Sequence, residues 1–284
     1  MPIAFRSRRS LLFVPAVRPD RFPKALATGA DAVCLDLEDG VGFGAKDEAR
    51  ISALELLASR APMRAEISLR INDPKTDLGQ RDLDAIVRAG ARPDALMLPK
   101  VSGPDEIREV ETKLSGALDG LPLIVQIETA AGVANVREIG AASDNIAVLF
   151  FGAIDLSADI GCEVEWDALL HARSEVVLAS ALAGVSALDS PFMDVSAVED
   201  LAKESRRTRG LGFVGKAAIH PTQVSVIQDA FSPTSDEIEW ARRIVEAYEK
   251  NDGGVLLVDG KLIERPVIAG AQRMLQMVVD PARD

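Results

Sequence analysis

The sequence predicts a parallel (β/α)8 barrel of the TIM type, and three observations lead there. Eight short apolar runs rich in Val, Ile, Leu and Ala recur over residues 1–231. Amphipathic stretches lie between them, and the apolar runs end repeatedly in charged or amide side chains. In this fold all such strand ends open on one mouth. Length is compatible: 284 residues exceed an ordinary domain, but a parallel barrel uses about 250 as one unit. Hydrophobic residues make up 48% and aromatics only 4%, so aliphatic side chains must fill the core. That suits parallel strands buried on both faces. A doubly wound open sheet is the structural alternative, although it usually has fewer strands.

The first strand is Ser10–Ala16. Basic residues precede it, but its apolar core Leu11–Val14 is too short for a secretory signal, and Pro15, Arg18 and Asp20 interrupt any apolar continuation. The second, Ala32–Glu38, closes in LDLEDG. A helix over Asp47–Ser59 comes next, with Ile51, Leu54 and Leu57 on one stripe. The third, Ala65–Asn72, ends in LRIND and precedes a helix at Asp82–Ala89 carrying Leu83, Ile86 and Val87. The fourth, Ala95–Val101, contains LPK. It precedes a helix at Pro104–Leu118 that opens with proline and two acids, as helix N-termini favour. Leu121–Glu128, Ile146–Gly152, Val185–Ser190 and Phe213–Ile219 complete the set. Most runs are bounded by Gly, Pro or Asp.

After Phe231 the pattern changes. A helix at Ser235–Tyr248, a hairpin turning at Asp259–Gly260 and a last helix at Val267–Val278 are expected. Residues 232–284 are too few for an independent domain and are read as an appendage or lid on the barrel of residues 1–231.

A net charge of −12 disfavours nucleic acid and anionic membranes, which select basic patches. No run approaches the roughly 20 apolar residues of a membrane span. The two cysteines sit in unrelated settings, Cys34 within an apolar run as a buried thiol, so a cytoplasmic protein is expected. No dinucleotide fingerprint, P-loop, nucleophile elbow or clustered Cys/His set occurs.

Chemistry is expected where polar residues end the strands: Asp36, Glu38 and Asp39 after the second, Arg70, Asn72 and Asp73 after the third, Lys100 after the fourth. Gln126 and Glu128 end the fifth, Asp155 ends the sixth in FFGAID, and Lys216 and His220 end the eighth in GKAAIH. Glu128 and Asp155 stand on neighbouring strands and form the best metal pair. Two carboxylates suit Mg2+, which keeps waters and takes substrate oxygens. Zinc is less suited, because only two His occur and neither has a ligand spacing with cysteine. The alternative is a purely structural network of these acids with Arg70 and Lys100. Arg70 offers a bidentate fork to a carboxylate or enolate oxygen, or else forms a salt bridge at the mouth. His220, His171, Trp166, Trp240 and Tyr248 read as structural or surface residues.

The pieces RRSLLFVPAVRPDRFPKA, AVCLDLEDGV, SLRIN, LMLPKV, IVQIETAAGV, LFFGAIDLSADIG, GFVGKAAIHPTQ and VDGKLIERPVIAGAQRML span residues 8–275. Together they resemble the HpcH/HpaI aldolase superfamily, in its citrate lyase β-subunit-like branch with malyl-CoA and citramalyl-CoA lyases. The resemblance implies a lyase in which Glu128 and Asp155 hold Mg2+ and Arg70 contacts substrate. It further implies that a short β-hydroxyacyl thioester, such as malyl-, citramalyl- or citryl-CoA, is cleaved to an acyl-CoA and a 2-oxo acid. A thioesterase, an aldolase acting on free acids, and an acyl-carrier-dependent subunit of citrate lyase are alternatives on the same site. Phe13, Arg21 and Lys24 are implied nucleotide or pantetheine contacts, with Ile219 and His220 at the acyl end, while Asp36, Glu38, Asp39 and Lys100 stand behind the reacting groups. A homo-oligomer, by resemblance a trimer, is expected.

Two departures stand out. Relatives commonly read GKMID-x-P where this chain has GKLIERP, which puts Glu264 in place of the aspartate acid/base. Relatives often carry PGNRP where this chain has PAVRP, with Asp20 directly after it, an anion expected to disfavour a nearby phosphate.

Overall fold

The structure, a computed structural model, describes residues 6–250, 256–258 and 260–278. The chain divides into two compact units, Met1–Phe231 and Ser232–Asp284. In the first, the elements run β1 (Ser10–Pro15), α1 (Phe22–Leu26), β2 (Ala32–Asp36), α2 (Lys46–Ser59), β3 (Glu66–Arg70), α3 (Asp77–Ala89), β4 (Ala95–Leu98) and α4 (Pro104–Leu114). They continue with β5 (Leu123–Ile127), α5 (Ala130–Ala134), α6 (Val136–Gly140), β6 (Ile146–Phe151), α7 (Ala153–Ile160) and α8 (Trp166–Ala183). Then come β7 (Ser186–Asp189), α9 (Val198–Leu211), β8 (Gly215–Ala218) and α10 (Pro221–Phe231).

The eight strands form a closed barrel in sequence order. All its pairs are parallel, and β8 meets β1 with Ser10 opposite Lys216. Successive strand residues face opposite sides, and the burial pattern obeys that rule. Leu11, Cys34, Met97, Ile124, Phe150 and Ala217 meet in the barrel interior. Their neighbours Leu12, Leu35, Leu96, Leu98, Val125 and Leu149 pack outward against the helices. Phe13 and Phe150 cross the interior edge to face, with ring centroids 6.2 Å apart. Burial pushes the Cys34 thiol up to about 12, so it is a protonated packing group, as its apolar setting predicts.

The strand ladders are shorter than the apolar runs, because several runs continue into loops carrying the polar residues. Helix α3 starts five residues before the expected Asp82, since the Thr76 side chain accepts a hydrogen bond from the Gly79 amide and caps it. Helix α4 stops at Leu114 rather than Leu118, and Gly116 and Gly120 come after it with positive φ. Asp155 stands in the first turn of α7, not on a strand; the run FFGAID hid that short helix.

Lys216 is also corrected. It does not reach the barrel mouth, because Ala217 takes the inward position on β8. Lys216 points into the sheet–helix layer, fully buried, bonded to Asp189 at 2.6 Å and Glu204 at 2.7 Å. Asp189 also receives Arg173 at 3.1 Å, and Arg173 stacks over Phe151. Burial opposes the Asp189 charge, but Lys216 and Arg173 outweigh it and hold the carboxyl below the usual range. This network ties β7 and β8 to α8 and α9.

In the second unit, Thr234 caps α11 (Ser235–Glu249) in a reciprocal capping box with Glu237. Strands β9 (Leu256–Val258) and β10 (Lys261–Ile263) pair antiparallel with Leu262 opposite Leu257, and Gly260 turns the hairpin at φ 75°. Val255 and Asp259, also expected in the hairpin, lie outside the described residues. Helix α12 (Arg265–Val278) begins two residues before the expected Val267, because the Glu264 carbonyl accepts from the Val267 and Ile268 amides. Ala241, Ile244, Ile263, Ile268 and Ala271 give this unit its own small core. Among the described residues, no helix is long and apolar enough to cross a membrane.

Removing one partner of a buried ion pair costs roughly 3–5 kcal/mol, because the other charge is left uncompensated. Asp189→Ala is therefore expected to lower the unfolding free energy by about that amount, read from the shift of the denaturant midpoint by circular dichroism. A shift equivalent to less than about 1 kcal/mol would make the network incidental to stability.

Candidate active site

The inward alternation decides which polar residues meet. On β2, Cys34 faces inward and so does Asp36; on β3, Arg70 is its register partner. Arg70 grips Asp36 through Nε at 2.7 Å and Nη2 at 2.8 Å. Its Nη1 lies 2.9 Å from Glu38 and 3.6 Å from Asp39. The guanidinium sits 4.7 Å above the Phe13 ring. Asp36 also accepts the amides of Glu38 and Gly40 at 2.8 Å each, which curls the loop after β2 around it. Burial opposes the charge on Asp36, but Arg70 outweighs it and holds the carboxyl below the usual range.

On β5, Gln126 and Glu128 face inward two residues apart. Glu128 is 1% exposed, and its Oε1 accepts the backbone amide of Lys100 at 2.9 Å. Its Oε2 accepts the Gln126 side-chain amide. The Glu128 side chain fits there because the residue directly after β6 is Gly152, where a Cβ would sit 2.6 Å from Glu128 Oε2. Burial, with the nearby charges of Glu38 and Asp155, pushes Glu128 up to about 8. Glu38 is likewise raised, mainly by burial, despite Arg70 and Lys100.

Asp155 is half-buried in the first turn of α7, where the helix dipole favours an anion. The Lys100 ammonium lies 3.6 Å from Asp155 and 2.7 Å from Glu38. Helix α7 is anchored to the first residue of α5 by Asp159, which accepts the Ala130 amide at 2.7 Å. This contact ties the helix that carries Asp155 to the segment that follows Glu128.

Phe13, Asp36, Asp39, Arg70, Glu128 and Asp155 all line one open cavity of about 460 Å³. A neighbouring hollow of about 450 Å³ is lined by Arg21, Lys24 and His220, and Phe13, Pro15 and Ile219 border both. The structure thus brings together most of the site residues expected from sequence, in two adjoining compartments. Glu38 and Lys100 stand behind the first cavity's wall. Asp20 is paired with Arg18 through two bonds of 2.8 Å, so its charge does not stand alone beside that hollow. His220 lends Nδ1 to the Thr222 hydroxyl and amide at the start of α10, a structural role. Glu264 lies in the second unit with an exposed side chain, between β10 and α12. Among the described residues, no three His, Cys, Asp or Glu side chains form a metal cage. A cation here would rely on the two carboxylates and on oxygens from water or ligand.

Sequence reading missed Gly152 as the space for Glu128, and Ser190, Pro191 and Met193 as part of the cavity wall. The Ser-Pro step directly after the seventh apolar run was the available signal for the latter.

The HpcH/HpaI aldolase/citrate lyase family matches residues 9–221, and a family described as C–C bond lyase of the TIM-barrel fold matches residues 167–277. Mouse mitochondrial citramalyl-CoA lyase is 32% identical, covering 95% of this chain and 86% of its own. Citrate lyase subunit beta from Leuconostoc mesenteroides subsp. cremoris is 33% identical, covering 96% and 93%. Among solved structures, CitE from Mycobacterium tuberculosis with magnesium, acetoacetate and coenzyme A superposes with a TM-score of 0.80. It is 33% identical and covers 95% of this chain and 97% of its own. The family resemblance drawn from the motifs is met by these matches.

Glu128 predicts a pH dependence of the metal-free protein. An unfolded glutamate ionises near pH 4.3, whereas the folded carboxyl titrates at about 8. Between these values the native state holds a proton that the unfolded state has released, so this group's contribution to stability falls as pH rises. In EDTA, Glu128→Gln is expected to lose less stability than the parent between pH 5 and about 8. Parallel stability–pH curves for the two proteins would refute the shift.

Proposed function

This chain is a lyase of the HpcH/HpaI aldolase/citrate lyase family, and we propose that it cleaves or forms a carbon–carbon bond in a short β-hydroxyacyl-CoA, with Mg2+ held by Glu128 and Asp155. The observation that carries this reading is the unbalanced charge of the cavity. Asp36, Glu38, Asp39, Glu128 and Asp155 face two cations, Arg70 and Lys100, while the nearby Lys46 ammonium is spent on the carbonyls of Leu37 and Glu38. Among the described residues, Glu128 has no cation within ion-pair distance, although its carboxyl borders the cavity beside Asp155. Two oxygen-donor carboxylates in a water-accessible pocket fit Mg2+, which accepts few protein ligands.

When bound, the ion supplies Lewis-acid polarisation of the oxygens of a 2-oxo acid and orients them. The protein supplies the rest. Asp36 fixes Arg70 through Nε and Nη2 and Glu38 holds Nη1, so the guanidinium borders the cavity in a set orientation, a fixed positive charge for oxyanion charge developing on the substrate. Phe13 and Phe150 give the cavity an apolar floor. In the adjoining hollow, Arg21 and Lys24 offer positive charge for the phosphates of a CoA thioester, and Arg18 neutralises Asp20. Cleavage yields an enolate that must be protonated at carbon, and we assign that proton to Glu264, of this chain or of a neighbouring copy, on its place in the GKLIERP motif. The likeness to a citrate lyase β-subunit keeps a second reading open to test, in which the thioester is presented by an acyl carrier.

Steady-state assays with malyl-, citramalyl- and citryl-CoA test the reading directly: acyl-CoA plus a 2-oxo acid is expected. Free CoA alone would make the protein a thioesterase, and inactivity until partner subunits are added would favour the carrier-dependent reading. Glu128→Ala and Asp155→Ala are each expected to cut turnover beyond the roughly 10–100-fold seen for groups that only support metal ligands, with the circular dichroism spectrum unchanged. Full activity in either variant would sink the metal assignment. Glu264→Gln is expected to lower kcat by about 10²–10⁴-fold with little change in KM; a rise in KM alone would remove it as the acid/base.

A further inference from the structure

Lys100 combines three features that the proposed reaction does not use. It is a non-glycine residue at positive φ, 56°, a conformation disfavoured for side chains by steric contact with the backbone. That backbone twist points its amide at Glu128 Oε1, 2.9 Å away. Its ammonium meanwhile reaches Glu38 at 2.7 Å and Asp155 at 3.6 Å. The twisted backbone is itself held, because the Lys100 carbonyl accepts the Lys75 ammonium at 2.6 Å. Strain of this kind persists only where surrounding contacts enforce it, and it gathers at functional sites.

We propose that Lys100 is the positioning residue of the divalent site, an internal cation that occupies the charge of Asp155 when the site is empty and yields it when a divalent ion enters. The inference rests on the metal reading of Glu128 and Asp155. The geometry divides the work within one residue. The amide fixes the orientation of the Glu128 carboxylate, whichever side chain is present. The ammonium is shared between two acids, and the contact with Glu38 is the shorter, so it keeps a partner when it gives up Asp155. A buried acid cluster with no counter-charge would repel itself apart. The ammonium therefore stabilises the empty pocket and competes with the incoming ion, which holds metal affinity down until a substrate carboxylate adds negative charge.

Mn2+ binding to the metal-free full-length protein, monitored by electron paramagnetic resonance of the free ion, tests this without any turnover assay. Lys100→Met keeps the backbone amide and a similar stem, and places no more strain on φ than lysine does. It is expected to bind Mn2+ at least about tenfold tighter than the parent, and to lose thermal stability in EDTA that Mn2+ restores. Lys100→Arg retains the charge and is expected to bind like the parent. Lys100→Gly accepts the positive φ without strain and is expected to match Lys100→Met in affinity, which guards against a folding defect in the latter. Unchanged or weaker Mn2+ binding in both uncharged variants would overturn the proposal while leaving the metal site standing. If the parent itself binds no Mn2+ that Glu128→Gln abolishes, the metal reading falls, and this inference with it.

Discussion

The site depends on the closure of eight parallel strands, because closure gives every inward side chain near a strand's C-terminal end the same few hundred cubic ångströms to share. Asp36 and Arg70 meet because β2 and β3 pair at those residues. Glu128 meets neither by chance: it is two residues beyond Gln126 on the same inward face, and Gly152, just past the adjoining strand, leaves the space it fills. An acid cluster is costly in such a place unless its charge is met. The protein meets part of it with Arg70 and Lys100 and leaves Glu128 titrating far above an ordinary glutamate.

That partial compensation separates two uses of charge in one barrel. Behind the sheet, Arg173, Asp189, Lys216 and Glu204 form a buried network whose acid Asp189 is held below its usual range. Inside the mouth, burial above all raises the carboxyls of Glu38 and Glu128, and for Glu128 the charges of Glu38 and Asp155 add to it. The first network holds helices to strands. The second lines an open cavity beside a hollow carrying Arg21 and Lys24.

Much of this was legible in the residue order. The apolar runs located all eight strands, since strands buried on both faces leave few other patterns. The mouth residues Asp36, Arg70, Glu128 and Asp155 were legible as polar interruptions at the run ends. Lys216 was misplaced because an apolar run of GKAA type carries no mark of which residue faces in; only the pairing of β8 with β1 settles that parity. Helix α7 was hidden because eight residues with a glycine on either side look like a loop continuing a strand.

The amino-acid sequence by itself determined the barrel, the family and the acids that gather at one rim, because periodicity and composition are local properties that one chain displays openly. Only the tertiary structure decided which acids are paired and which are left wanting charge. That depends on distances between strands far apart in sequence, such as Lys100 to Glu38 and Asp36 to Arg70. The strained turn at Lys100 is of the same kind: no residue type announces it, and the contacts that enforce it come from Glu38, Glu128, Asp155 and Lys75.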